Sequence, residues 1–230
     1  DCKIITGELV QLACQRHIKD LELGSMRGLY FDESAAMRAI NFFGFLKHSK
    51  GEWAGSAVKL EPWQQFRIGS TFGWKRKKDG LRRFRTAYTE VARKNGKTTE
   101  MAGVGLYGMI ADNEPGAEVY SAASKRDQAK IVFEDAARMV KKNAQLAKII
   151  TIMKNNLSCG AFDSKFEALS AEGNTLDGLN VHFGLIDEYH AHPTAEVFNV
   201  IDTGTGARRQ PLIWIITTAG FDPYSPCRSM

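Results

Sequence analysis

Apolar positions recur at helical spacing through the first quarter of the chain. Leu9, Leu12 and Ala13 fall at helical spacing together with Arg16, and Ala35, Ala36, Ala39, Ile40 and Phe43 form a second apolar face. Gly24 and Gly28 punctuate the two. Residues 1–60 therefore read as a helical region. Pro62 suits the first position of a further helix running through Phe72. From about residue 82 the period changes. Residues 82–91 alternate and are rich in Phe, Thr, Tyr and Val, which predicts a strand. A Gly-Lys-Thr turn follows, then a helix from Thr98 to about Ala111. Residues 118–122 predict a second strand. Ser124 and Asp127 resemble a capping box that opens a helix burying Val132, Ala136, Met139 and Val140. Its other face carries Lys125, Arg126, Lys130, Arg138, Lys141 and Lys142. Residues 148–170 read as short strands joined by turns, and Gly173-Asn174 and Asp177-Gly178 mark a loop.

Two later runs are almost wholly apolar. Val181 to Ile186 ends in Asp187-Glu188, and a helix is expected over about 193–202. Leu212 to Thr217 reads as a strand in the middle of a parallel sheet, covered on both faces. Strands alternating with helices imply an α/β fold with a mainly parallel central sheet flanked by helices. Ligands bind such sheets at the carboxyl ends of the strands. Gly96, Asp187 and Thr217 all fall at or just past expected strand ends, so one rim should gather them.

Composition adds little to this. A formal net charge of +5 and a pI near 9.0 fit a polyanionic partner, as they fit many proteins without one. Cys2, Cys14, Cys159 and Cys227 share no C-x-x-C spacing, so free thiols are expected rather than a zinc set. No run of about 18 apolar residues is present, so no membrane-spanning helix is expected. The chain opens on Asp1 and closes on Ser229-Met230, which reads as a fragment.

The chemistry concentrates in a few motifs. Arg93-Lys94-Asn95-Gly96-Lys97-Thr98 lies between a strand and a helix, the setting of a phosphate-binding loop. Free N–H groups at a helix start bind phosphate oxygens. Lys97 supplies a charge to the β- and γ-phosphates, and the Thr98 hydroxyl can ligate Mg²⁺; Thr99 is a further nucleotide-binding candidate. The general pattern G-x-x-x-x-G-K-[ST] has Val91 at its first glycine. Asp187 at a strand end would hold Mg²⁺, and Glu188 would act as general base toward water. The same acidic pair would also suit a helix cap. Arg93 is placed to meet developing charge on the γ-phosphate. Thr217-Thr218-Ala219 after the last strand offers hydroxyls that sense that phosphate, or a simple strand-ending turn. Gln64 offers a donor and an acceptor to an adenine edge, with Trp63 or Phe66 beside the base; otherwise Trp63 is core and Gln64 surface. His190 and His192 read as surface or supporting histidines. Lys75-Arg76-Lys77-Lys78 with Arg82 and Arg83 reads as a phosphate contact or a solvated turn. Gly103, Gly105 and Gly108 each cost a helix about 1 kcal/mol against Ala and suggest close packing on the sheet.

Taken in order, Leu60-Glu61-Pro62-Trp63-Gln64, Val91-Ala92-Arg93-Lys94-Asn95-Gly96-Lys97-Thr98, Leu185-Ile186-Asp187-Glu188 and Thr217-Thr218-Ala219 resemble the ATPase half of the large terminase subunit of tailed bacteriophages. An arginine early in the loop, with no leading glycine, is part of that resemblance. It implies a P-loop NTPase of the additional-strand, catalytic-glutamate type. A helical lid region would occupy residues 1–60 and the ATPase core 61–230. By motif match, Gln64 contacts adenine, Lys97 and Thr98 the phosphates and Mg²⁺, Asp187 the metal, and Glu188 is the base, with Thr217-Thr218-Ala219 the coupling motif. The resemblance also implies packaging of double-stranded DNA into a prohead in the host cytoplasm. The partners would be a small terminase subunit and a portal protein, with the motor docked as a pentameric ring. Family members carry a further nuclease domain, which is expected to be absent here. Arg126, Arg138, Arg208 and Arg209 are open candidates for an arginine acting in trans. Two alternatives stand beside this reading. Asp187-Glu188-Tyr189-His190 also looks like the D-E-x-H of a superfamily 2 helicase, and a nucleotide-binding scaffold without catalysis would need Glu188 to be idle.

Overall fold

A computed structural model of the chain describes residues 6–169 and 178–230. Cys2, Gly173-Asn174 and Asp177 therefore lie outside the described residues, as does the side chain of Arg126. The chain divides into two compact units. One takes the described residues up to Ile40 together with Leu60–Phe84; the other takes Asn41–Lys59 and Arg85–Met230. The expected division at residue 60 does not coincide with this one.

The smaller unit holds α1 (Glu8–Leu23), β1 (Leu29–Phe31), the first part of α2 (Glu33–Phe45), α3 (Pro62–Gly73) and β2 (Trp74–Arg76). β1 and β2 pair antiparallel. Leu29, Ala35, Ala36, Ala39, Ile68, Phe72 and Trp74 are buried in it. His17 Nδ1 accepts a hydrogen bond from Trp74 Nε1 at 3.0 Å, and Asp20, buried, pairs with Arg27 and Arg83. Arg82 is also buried, its guanidinium over the Phe72 ring at 5.2 Å. The expected strand over 82–91 is correspondingly shorter. Arg82 and Arg83 are held by aromatic and acidic partners in this unit, so the basic run is not one solvated turn.

The larger unit is built on seven strands in the order β3-β9-β8-β4-β7-β6-β5: β3 (Thr86–Glu90), β4 (Glu118–Ala122), β5 (Thr151–Ile152), β6 (Asn156–Cys159), β7 (Ser164–Ala168), β8 (Val181–Asp187) and β9 (Leu212–Thr217). The pairs β3–β9, β9–β8, β8–β4 and β4–β7 are parallel; β7–β6 and β6–β5 are antiparallel. β9, last in the chain, is inserted between β3 and β8, the additional-strand arrangement. All six of its residues are buried, as their unbroken apolar run requires.

The helices of this unit are α4 (Lys97–Ile110), α5 (Arg126–Lys141), α6 (Ala144–Ile149) and α7 (Glu196–Gly204). Strand alternation assigns them to faces. A Cβ built at Gly105 of α4 would meet Phe166 Cε1 at 2.6 Å and Leu185 Cδ1 at 2.9 Å, and one at Gly108 would fall inside the Phe183 ring. Gly184, between Phe183 and Leu185, is instead covered by Ile201 of α7. Phe183, Leu185 and, by the same parity, Asp187 therefore belong to the α4 face. Gly103 likewise leaves room for the Phe43 ring from the end of α2. That packing explains why residues 41–59 join the larger unit. α5 buries Val132, Ala136, Met139 and Val140 as its spacing predicts. Its expected capping box does not form. The helix starts after Lys125, so Ser124 lies one residue too early and donates to Gln128 Oε1 at 3.1 Å.

The three glycines of α4 give a direct test. Gly108→Ala should lower the unfolding free energy by about 1–3 kcal/mol, since overpacking outweighs the gain in helix propensity. Gly44→Ala, on the exposed side of α2 with nothing within 4 Å of the added carbon, should instead raise it by up to about 1 kcal/mol. Urea midpoints at unchanged slope would measure both.

Candidate functional site

The strand registers bring the site together. Glu90 at the end of β3 lies opposite Thr217 of β9, and Ile216 lies opposite Asp187 of β8. Val91 N donates to Thr217 O and Glu188 N to Ile216 O, each at 3.0 Å. Three strand ends thus stop level, and the loops leaving them share one rim, as the sequence predicts.

The loop from β3 turns sharply into α4. Lys94 and Gly96 are left-handed, at φ 67° and 71°. Glycine takes this conformation without strain, while at Lys94 it is uncommon. Asn95 Nδ2 ties the turn by donating to Ala92 O at 3.1 Å and Arg93 O at 3.2 Å. Residues 92–96 are exposed, including the Arg93 side chain. Thr98 is half-buried. Thr99, expected beside nucleotide, directs its hydroxyl to Asp135 Oδ2 of α5 at 3.5 Å.

Lys97 Nζ is hidden from solvent and makes no hydrogen bond among the described residues; its ion-pair partner is Glu188 Oε1 at 3.5 Å. A shielded ammonium without hydrogen-bond partners is costly, and phosphate oxygens are the acceptors that relieve it. Asp187 is buried, and burial, reinforced by neighbouring Glu188, pushes its carboxyl up to about 6; the Glu188 backbone N–H and Lys97 oppose the shift. A divalent cation held by this carboxylate would restore its charged form. The donor set of hydroxyl and carboxylate oxygens at Thr98 and Asp187 is the hard-oxygen type that Mg²⁺ takes.

Glu188 itself is left-handed at φ 49°. A short 3-10 turn over Tyr189–Ala191 follows it and folds back over the end of β9. Glu188 Oε2 lies 3.2 Å from His190 Nδ1 and accepts from Thr218 Oγ1 at 3.3 Å. Thr217 Oγ1 accepts from His190 N at 3.0 Å and lies 2.8 Å from His190 Nδ1. Neither histidine is a surface residue in the simple sense. His192 is buried, its Nε2 lies 3.3 Å from Asp187 O, and burial lowers its pKa, which favours the neutral ring. His190 touches the carboxylate directly. The sequence offers it as a surface or a supporting histidine, and the turn at 188–191, which places it over Thr217, decides between the two. The exposed Ala219 lies past these contacts.

Gln64 and Trp63 belong to the smaller unit. The expected alternative, Trp63 in the core and Gln64 on the surface, is reversed. Gln64 is buried and Trp63 is 39% exposed, with Arg67 over its ring at 4.9 Å. Pro62 starts the helix so that Gln64 falls at its third position. There its Oε1 accepts from Glu61 N at 2.9 Å in a capping box that sequence reading missed, though Glu61-x-x-Gln64 carries its signal. Among the arginine candidates, Arg208 is held at the opposite end of the sheet by Glu114 at 3.2 Å and by the carbonyls of Asn180, Pro115 and Gly116. Arg138 pairs with Glu134 and Asp135.

Residues 62–229 match the family model described as the terminase large subunit, ATPase domain. The chain is 31% identical over 177 residues to the terminase large subunit of Enterobacteria phage HK97, which covers 74% of this chain and 33% of that protein. Over 51 residues it is 51% identical to protein YmfN of Escherichia coli strain K12, covering 22% of this chain and 11% of that one. The crystal structure of the HK97 bacteriophage large terminase aligns with a TM-score of 0.71 at 28% identity, covering 84% of this chain and 40% of that one. This chain thus spans about a third of the length of the HK97 large subunit.

The raised pKa of Asp187 carries a stability prediction. Unfolded, the carboxyl ionises near 3.8; folded, at about 6. Between these values the folded state binds the proton more tightly, so stability falls as pH rises from about 4 to about 6 and stays lower above. Asp187→Asn removes this loss while keeping an acceptor for Glu188 N. The variant should gain on the wild type as pH rises, by up to about 3 kcal/mol at pH 7, read from urea midpoints across the range.

Proposed function

Since the chain belongs to the family of terminase large-subunit ATPase domains, we propose that it hydrolyses ATP at the sheet rim and that turnover drives double-stranded DNA into a viral prohead. The observation that carries the hydrolytic part is the meeting of Lys97 and Glu188 at 3.5 Å across the ends of β3 and β8. One group suits the phosphates and the other suits water, and only this strand register brings them together.

In this reading the exposed backbone of residues 93–98 cradles the phosphates, with Lys97 exchanging Glu188 for phosphate oxygens. Thr98 and Asp187 hold Mg²⁺, which would neutralise charge on the phosphates. Glu188 takes a proton from the attacking water. Arg93, exposed at the loop, meets developing γ-phosphate charge. Lys94, Asn95, Gly96 and Thr99 shape the loop. Gln64 and Trp63 serve the adenine, with Gln64 already fixed by its capping bond. Thr217-Thr218-Ala219 couples the phosphate state to motion, supported by the contact between Thr218 and Glu188 at 3.3 Å. The DNA, a small terminase subunit, a portal protein and a pentameric ring in the host cytoplasm complete the proposal, and they follow from the family. Residues 1–60 as a lid follow from it likewise. Family membership favours this reading over a helicase.

Glu188→Gln should lower ATP turnover about 10²–10⁴-fold while nucleotide affinity changes little. Steady-state ATPase rates beside equilibrium nucleotide binding would check this; equal turnover in both proteins would indicate a scaffold. We further propose that these 230 residues do not cut DNA. Incubation of the purified chain with plasmid DNA and Mg²⁺ or Mn²⁺ should leave the DNA intact, and cleavage would overturn the claim.

A further inference from the structure

We propose that His190 is the positioning residue of the general base. With Thr218 it fixes the Glu188 carboxylate and ties it to the end of β9. The proposal rests on Glu188 being the base that activates water.

The Thr217 hydroxyl donates to Thr218 O at 3.1 Å, so its one hydrogen is spent. The same oxygen accepts from His190 N at 3.0 Å, and His190 Nδ1 lies 2.8 Å from it. With no hydrogen left on Thr217 Oγ1, Nδ1 must be the donor, which assigns the proton to Nδ1. That N–H is directed at Thr217 Oγ1, and its nitrogen lies 3.2 Å from Glu188 Oε2, while Thr218 Oγ1 donates to the same oxygen at 3.3 Å. Oε2 therefore accepts a hydrogen bond from Thr218 and has the polar edge of the imidazole packed beside it, both held at the end of β9. Among the described residues, the ion-pair partner of Oε1 is Lys97, at 3.5 Å.

Glutamate has three side-chain torsions and would otherwise range over many rotamers. A base oriented by a third group is the arrangement catalytic sites use to keep a proton acceptor aligned. Here one carboxylate oxygen is held and the other is left to accept a proton once phosphate draws Lys97 away. The support behind His190 is rigid. Thr217 is fully buried, and a Cβ on Gly220 would come within 3.0 Å of His190 Cβ, so backbone closes in behind the ring. Any shift of the β9 end thus moves the imidazole and the carboxylate together.

The test is steady-state ATP hydrolysis by the purified chain carrying single and paired substitutions. His190→Ala should lower kcat about 10- to 100-fold with KM for ATP within about twofold. His190→Asn, whose amide nitrogen stands where Nδ1 does, should recover turnover to within about threefold of wild type. In a Glu188→Gln background, His190→Ala should change turnover less than about twofold, because its effect passes through the carboxylate. Thr218→Val, isosteric and lacking the hydroxyl donor, should also lower kcat at constant KM, and it gives the reading if His190→Ala fails to fold. Unchanged kcat in both His190→Ala and Thr218→Val, a loss expressed only in KM, or an equal loss with and without Glu188 would overturn the proposal. If Glu188→Gln itself retains wild-type turnover, the reading of Glu188 as base fails first, and that outcome is distinct from Glu188→Gln being inactive while His190→Ala is not.

Discussion

The parallel register of β3, β9 and β8 sets Glu90 opposite Thr217 and Ile216 opposite Asp187, and the positions of the chemical groups follow from it. A shift of one residue would turn each side chain to the other face of the sheet. Asp187 would then leave the α4 face, and the loop from β3 would no longer meet the one from β8. The phase of β8 is secured by shape: Gly184 admits Ile201 on one face, while Phe183 and Leu185 fill the space that Gly108 and Gly105 of α4 leave on the other. The electrostatics are a consequence. Sheet and helix exclude water from Asp187 and Lys97, and both groups become more responsive to an incoming ligand than they would be in solvent.

Elements whose signal lies in local periodicity were legible. β4, β9 and the buried face of α5 stand where the strand-like runs and helical spacing predict them, and the rim shared by Gly96, Asp187 and Thr217 follows from their places at the ends of expected strands. What was not legible depended on phase or on contacts distant in sequence. Helix α5 begins after Lys125, and one residue of phase removes the Ser124 cap. Trp63 and Gln64 exchange their expected exposures because Pro62 fixes where the helix turns begin. Arg82 and Arg83 look like part of a charge run but are claimed by Phe72 and by Asp20, 63 residues before Arg83.

His190 is the most instructive case. In the sequence it is a polar residue after an acidic pair, and it reads equally as a surface or a supporting histidine. In the structure Glu188 takes a left-handed conformation, the chain doubles back, and His190 comes to bridge two strand ends. A non-glycine residue in that region is uncommon and costs conformational energy, and such strain clusters at functional sites. The roles proposed for Lys97 and Glu188 can be read from the loop and strand-end motifs, but the contacts of His190 come only from the fold.

The glycine face of α4 has a mechanical consequence. The helix that presents Lys97 lies so close to the sheet that no methyl group fits between them at Gly105 or Gly108. Close-packed surfaces of this kind have no slack through which to slide. The end of α4 at the sheet rim therefore behaves as an anvil rather than a lever. Displacement there has to be taken up by the loops at the strand ends, such as the exposed residues 92–96.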